Sequence, residues 1–195
     1  VRQSRFDIVV NIQRFFSSGL ITALSGAKVT SGFSKNPLSP LFSYKMPHQI
    51  GVDETHEIQR NHTLVNFLDV PRPEPPALYP SEDDYKAVEP LQPDPYLCIA
   101  PASLWGTKQL PEERWIDLIN SISNNKKVYL IGSPADVTMA ERLAEKTKHS
   151  RVFNLAGKLS LLESAALMKG AQMNVVLDSA PMHLASAMNA PVTVI

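Results

Sequence analysis

Four short loops carry side chains from which a site for a charged ligand can be built. The first is Pro101-Ala-Ser-Leu-Trp-Gly-Thr-Lys108. Its Ser103 and Thr107 hydroxyls can hydrogen-bond phosphate oxygens, and Lys108 can place a cation on a leaving diphosphate. The G-x-x-x-x-G-K-S/T spacing of a nucleotide phosphate loop is absent, and an ordinary surface lysine is the competing reading. The second is Asp178-Ser-Ala-Pro-Met-His183. Asp178 and Ser179 are good helix caps, and Pro181 suits a first helical turn. The backbone amides there can face an anion, with Ser179 and His183 adding donors. The bland alternative is a structural cap beside a solvent-facing histidine. In the third, Gly132-Ser-Pro-Ala-Asp136, the Asp136 carboxylate can cap a helix or bind a ribose hydroxyl. In the fourth, Leu155-Ala-Gly-Lys-Leu-Ser160, Gly157 can let a flat ligand approach the backbone, or can simply make a turn.

Other residues invite chemistry less. Glu82-Asp83-Asp84 is acidic enough to suggest a metal, but it lies among prolines and reads as a solvated charge run. His48, His56 and His62 lack metal-type spacing, and His149 reads as a charge near a helix C-terminus. Cys98 falls in an expected buried strand, as inert packing. Trp105 and Trp115 are both candidates to line a base pocket, with Trp115 better suited to packing.

The composition narrows the classes. Nineteen basic residues balance nineteen acidic ones among 195, so net charge gives no reason to expect nucleic acid. A single cysteine excludes an internal disulfide and Cys-rich zinc motifs. No apolar run approaches the roughly 18 residues that span a bilayer. The chain opens on Val1 without a signal-peptide pattern and closes on an expected strand, Pro191 to Ile195, which suggests a piece of a longer protein, with an excised or processed domain as the rival reading.

The elements that must hold these loops follow from hydrophobic periodicity. Phe6–Ile12 reads as a buried strand, Phe15–Leu24 as a helix stopped by Ser25-Gly26, Val29–Phe33 as a strand, and His56–Leu68 as an amphipathic helix with Ile58, Leu64, Val65 and Leu68 inward. Eight of sixteen prolines fall between Pro71 and Pro95, which reads as an extended linker with a polar insert, Ser81 to Ala87. Beyond it, strands are expected at Tyr96–Ala100, Lys127–Ile131, Val152–Leu155, Asn174–Leu177 and Val192–Ile195. Helices are expected at Pro111–Ser123, Ala135–Lys148, Leu161–Gly170 and Pro181–Met188, and Ser160 to Glu163 has capping-box spacing. Alternating strands and helices predict a parallel, doubly wound, Rossmann-like sheet. The expected division is residues 1–70, a linker at 71–95, and 96–195.

The segment Pro101 to Trp115 resembles the PGA-x-W-x-x-K-x-W-P-x-x-x-W pattern of glycosyltransferase family 9. Ile131–Asp136, Asn154–Ser160 and Asp178–Ala185 resemble further family segments in the family's order, as do Asp7–Gln13 and the helix opening at His56-Glu57. The resemblance covers nearly the whole chain except the proline-rich stretch. It implies an α/β fold of GT-B type: two Rossmann-like domains, the N-terminal one incomplete here and the C-terminal one lacking its last elements. It implies an enzyme that moves a sugar, a heptose in the members it resembles, from a nucleoside-diphosphate sugar such as ADP-heptose to a lipopolysaccharide core acceptor. Transfer would be inverting and metal-independent, without a cofactor. On this match Lys108 stabilises the diphosphate with Ser103 and Thr107 nearby. Asp178, Ser179, Ala180 and His183 form the diphosphate-binding helix start, Asp136 approaches the ribose, and Gly157 to Leu159 the base. The general base is expected outside this chain. The setting implied is cytoplasmic, with peripheral contact at the inner membrane. Ala180 replaces a family glycine, Asn11 a family aspartate, and Leu110 a family tryptophan. A nucleotide-sugar epimerase and a non-catalytic, degenerate nucleotide-binding relative are the alternative readings.

Overall fold

The computed structural model describes residues 4–49 and 55–195. The chain divides into two compact units, Val1–Pro75 and Pro76–Ile195.

In the first unit, β1 (Ile8–Asn11), β2 (Val29–Phe33) and β3 (Tyr44–Met46) form a parallel sheet in the order β1-β2-β3. Helix α1 (Phe16–Ala23) links β1 to β2. The buried Asn36 side chain donates to the carbonyls of Gln13 and Phe15, fixing the turn from β1 into α1. Among the described residues, Phe33, Phe42 and Leu64 are the buried large apolar side chains of this unit. β1 is not the buried strand its sequence suggests. Ile8, Val10 and Ile12 are exposed, because β1 is an edge strand among the described residues and pairs only with β2. Helix α2 (Glu57–His62) is shorter than expected and continues as a 3-10 segment, Thr63–Leu68. The Thr63 hydroxyl donates to the Arg60 carbonyl, competing with the α-helical ladder there. Leu68 is exposed rather than inward, and Arg60 is buried, paired with Glu57 and bonded to the Gln49 carbonyl at 2.7 Å.

The second unit holds five parallel strands: β4 (Tyr96–Ala100), β5 (Lys127–Leu130), β6 (Val152–Asn154), β7 (Met173–Val176) and β8 (Val192–Val194). Their order, β6-β5-β4-β7-β8, runs outward in one direction from β4 and then reverses through β7. That is the order of a doubly wound nucleotide-binding sheet. Pleating divides the core. Tyr96, Cys98 and Ala100 join a cluster with α6 (Leu161–Gly170) and α7 (Ala180–Ala187). Ile99 joins the opposite cluster, with Trp115 and Ile119 of α4 (Glu112–Ser121) and Ala140 and Leu143 of α5 (Val137–Lys146). The sheet is covered on both faces, as its continuous apolar strands require.

The proline-rich stretch is not wholly an extended linker. Helix α3 (Glu82–Val88) lies between Pro80 and Pro90 and packs on α6, with Val88 fully buried. Ser81 and Asp84 form a capping box, and Glu82, Asp83 and Asp84 occupy the first turn, where the helix dipole favours acids. Leu78 and Leu91 pack against the same core, and the Leu91 carbonyl accepts the Tyr129 hydroxyl at 2.6 Å. The prolines flank this helix instead of interrupting it.

Candidate functional site

β4 and β7 lie side by side in register, Ala100 opposite Val176. The chain leaves β4 for α4 on one face and β7 for α7 on the other. The two following loops therefore diverge beyond the strand ends, at the sheet's topological switch point, where open α/β sheets bind ligands.

Lys108 and Asp178 meet across this point. Lys108 Nζ donates to Asp178 Oδ2 at 2.5 Å, and each side chain is about half exposed. The Lys108 hydrogen bond, its charge and that of His183 hold the Asp178 carboxyl below the usual range. The β4 loop is tied internally. The Gln109 side chain donates to the Ser103 carbonyl at 2.7 Å, and Ser103 Oγ accepts from the Trp105 amide at 3.4 Å. Gln109 was not among the sequence candidates, and nothing in its type or spacing marked it as the clamp of this loop. Ser103 is half-buried; Thr107 and Lys108 are exposed on the 3-10 turn Gly106–Lys108.

At the β7 loop the capping expectation fails. Asp178 turns to Lys108, and Ser179, at the cap position of α7, makes no side-chain cap; its hydroxyl donates to the Leu177 carbonyl at 3.3 Å. The α7 N-terminus is thus left without a side-chain acceptor, and Pro181 in its first turn has no N–H to satisfy. Ala180 opens the helix and is not among the residues with positive φ, so alanine in place of glycine carries no backbone strain there. His183 is exposed within the first turns of α7.

The remaining loops follow β5 and β6. Asp136 Oδ2 accepts from both the amide and the hydroxyl of Ser133 at 2.7 Å, completing a capping box. Gly157 has φ 69°, and its amide donates to the Gly132 carbonyl at 2.9 Å. A Cβ at Gly157 would meet the Pro134 backbone at 2.9 Å, so the close neighbour that requires glycine is the adjoining loop. Leu159 is half-buried against the core. Lys108, Ser103, Asp178, Ser179 and His183 thus gather around the β4/β7 crevice, while Asp136, Gly157 and Leu159 lie beyond β5 and β6.

Burial raises the Cys98 thiol pKa strongly, leaving an inert packing residue. Trp115 is fully buried, while Trp105 is 69% exposed. His149 is buried, with its ring nitrogens near the Ser123 carbonyl and the Arg151 amide. Among the described residues, no cluster of His, Cys, Asp and Glu is arranged to hold a metal ion, and no helix is long and apolar enough to cross a membrane.

A family model described as "Glycosyltransferase family 9 (heptosyltransferase)" matches residues 1–195. The chain belongs to glycosyltransferase family 9. It is 28% identical over 195 residues to lipopolysaccharide heptosyltransferase 1 of Salmonella typhimurium, covering 96% of this chain and 60% of that protein. Its fold is similar to Escherichia coli ADP-heptose lps heptosyltransferase II, with TM-score 0.82 at 21% identity, covering 99% of this chain and 63% of that one. It is also similar to E. coli heptosyltransferase WaaC, solved with ADP-2-deoxy-2-fluoro heptose, with TM-score 0.74 at 22% identity over 99% of this chain and 63% of that one. The chain therefore spans about 60% of the length of these relatives.

Proposed function

We propose that the second unit binds a nucleoside-diphosphate sugar, of the ADP-heptose kind, across its switch point. The chain then carries the donor side of an inverting, metal-independent heptosyltransferase acting on a lipopolysaccharide core acceptor. The Lys108–Asp178 pair carries this reading: it puts a half-exposed cation at the crevice where a doubly wound sheet receives phosphates. Lys108, Ser103 and Thr107 then hold the diphosphate together with the uncapped start of α7, Ser179, Ala180 and His183. Asp136 approaches the ribose, and Gly157 and Leu159 the base. When a diphosphate takes Lys108, Asp178 loses its cation and gains donors in the hydroxyls of the transferred sugar.

In the reaction the acceptor hydroxyl oxygen bonds to the sugar C1 from the face opposite the leaving group. The C1–O bond to the diphosphate breaks, and the nucleoside diphosphate leaves with the electron pair. The acceptor proton passes to a general base. Negative charge grows on the diphosphate, where Lys108 and the α7 amides stabilise it. A lipid-anchored acceptor places the reaction at the cytoplasmic face of the inner membrane.

Calorimetric titration with ADP and ADP-heptose tests the site. Charge-assisted hydrogen bonds contribute about 1.5–3 kcal/mol, so Lys108→Ala should weaken ADP binding roughly 10- to 100-fold. Equal binding by both proteins removes Lys108 from the site, and no binding by the folded protein removes the donor assignment.

A further inference from the structure

The loop that supplies Lys108 also holds a tryptophan out in water. Trp105 is 69% exposed, and its neighbour Leu104 is fully exposed. The backbone beneath them is not slack. The Lys108 amide donates to the Trp105 carbonyl at 2.9 Å, and the Gln109 amide to the Gly106 carbonyl at 3.2 Å. Gln109 and Ser103 tie the base of the loop. A turn closed in this way brings the Cα atoms of its first and fourth residues within about 7 Å. Trp105 itself is extended (φ −100°, ψ 115°) and caps the 3-10 turn Gly106–Lys108. Trp105 and Lys108 therefore stand at the two ends of one hydrogen-bonded turn, and most of the indole surface is open to water.

We propose that Trp105 is the stacking platform for the sugar transferred from the donor, a specificity-determining residue for that sugar. The inference rests on the donor reading above. A pyranose ring presents an apolar face of polarised C–H bonds, which suits the negative face of an indole. Position selects the sugar over the base. The 155–159 turn follows β6, two strands from β4, and neighbouring strands are about 4.8 Å apart, so the proposed base subsite lies roughly 10 Å away. Lys108 marks the diphosphate, and Trp105 stands next to it.

The chain contains two tryptophans, and the other, Trp115, is fully buried, which gives the test a specific signal. In the intact protein, the fluorescence difference between wild type and Trp105→Phe isolates the exposed indole. ADP-2-deoxy-2-fluoro heptose should shield that signal from acrylamide, whereas ADP should leave it accessible. By calorimetry, Trp105→Ala should bind this analogue about tenfold more weakly and ADP as wild type does, with Trp105→Phe recovering most of the loss. Equal loss for ADP and the analogue, no loss for either, or a Trp105 that stays quenchable with the analogue bound would each overturn the platform. Shielding by phosphatidylglycerol vesicles without any nucleotide would also overturn it, making the loop a membrane contact. Failure of both ligands to bind wild type would remove the donor reading itself, and the platform with it.

Discussion

Replacing Gly157 by alanine should destabilise the second unit far more than replacing Gly106, although both glycines sit in loops at the same edge of the sheet. Gly157 has φ 69°, where an L-residue pays about 1–2 kcal/mol. Its new Cβ would stand 2.9 Å from Pro134 Cα and 3.4 Å from Pro134 N and Cβ. Because the first of these contacts is backbone, relief requires the 132–134 loop to shift. That strain adds about 1–3 kcal/mol. The sum, about 2–5 kcal/mol, lowers the melting temperature of this unit by roughly 8–20 °C. Gly106 has open space around its missing Cβ and no positive φ, so Gly106→Ala should stay within about 0.5 kcal/mol. Thermal and urea unfolding followed by far-UV circular dichroism give both values. Equal midpoints for the two variants would refute the left-handed turn at Gly157, its contact with Pro134, or both.

Carboxylates in ion pairs make the second unit acid-sensitive. Hydrogen bonds from Arg142 to Glu112, from Lys127 and Arg151 to Asp94, and from Lys108 to Asp178 each lower the carboxyl pKa. A lowered acid contributes stability that is complete above its unfolded pKa, near 4, and is lost as pH falls through its folded value. Urea midpoints should therefore drop between about pH 5 and pH 2.5, and Glu112→Gln should flatten that slope; a slope identical to wild type would count against the pairing. Ser160→Ala removes the cap that accepts the Glu163 amide at 3.1 Å, and should cost about 1 kcal/mol of unfolding free energy. Trp115→Ala empties a fully buried site between α4 and the sheet, and should cost about 3–5 kcal/mol, read from the same urea curves.

The second unit was the more legible half. From Tyr96 onward the strands and helices fall within a few residues of their expected positions, helped by local start signals such as Ser160 with Glu163 and the prolines Pro111 and Pro181. What sequence periodicity misses are features decided by a distant partner. Helix α3 has a local start signal in Ser81 with Asp84, but seven residues are too few to hold a helix unless Val88 packs on α6, and the proline density around it points the other way. The three-residue β3 carries too little pattern to stand out before β2 is in place beside it. In the first unit, the apolar run of β1 does suit an inner strand, yet among the described residues it has only one neighbour. The site loops could be found by residue type, but not their division of labour. Asp178 resembles a cap in sequence and is instead the partner of Lys108, 70 residues away.

The proposed diphosphate site needs no net positive charge on the chain, which has none. The Asp136 carboxylate is bonded to Ser133 within the β5 loop, and the Gly157 amide of the β6 loop donates to the Gly132 carbonyl, so these two loops are already tied. The β4 loop is satisfied through Gln109 and Ser103. The start of α7 has no such side-chain partner, and the lysine facing it is held by a single exposed carboxylate. An exposed ion pair of this kind is weak, since water and salt screen it. A diphosphate brings more charge and more acceptor oxygens than Asp178 does, so it can displace the carboxylate and meet the α7 amides in one step. In the proposed site it is this local imbalance at the switch point, rather than any global charge, that favours a diphosphate.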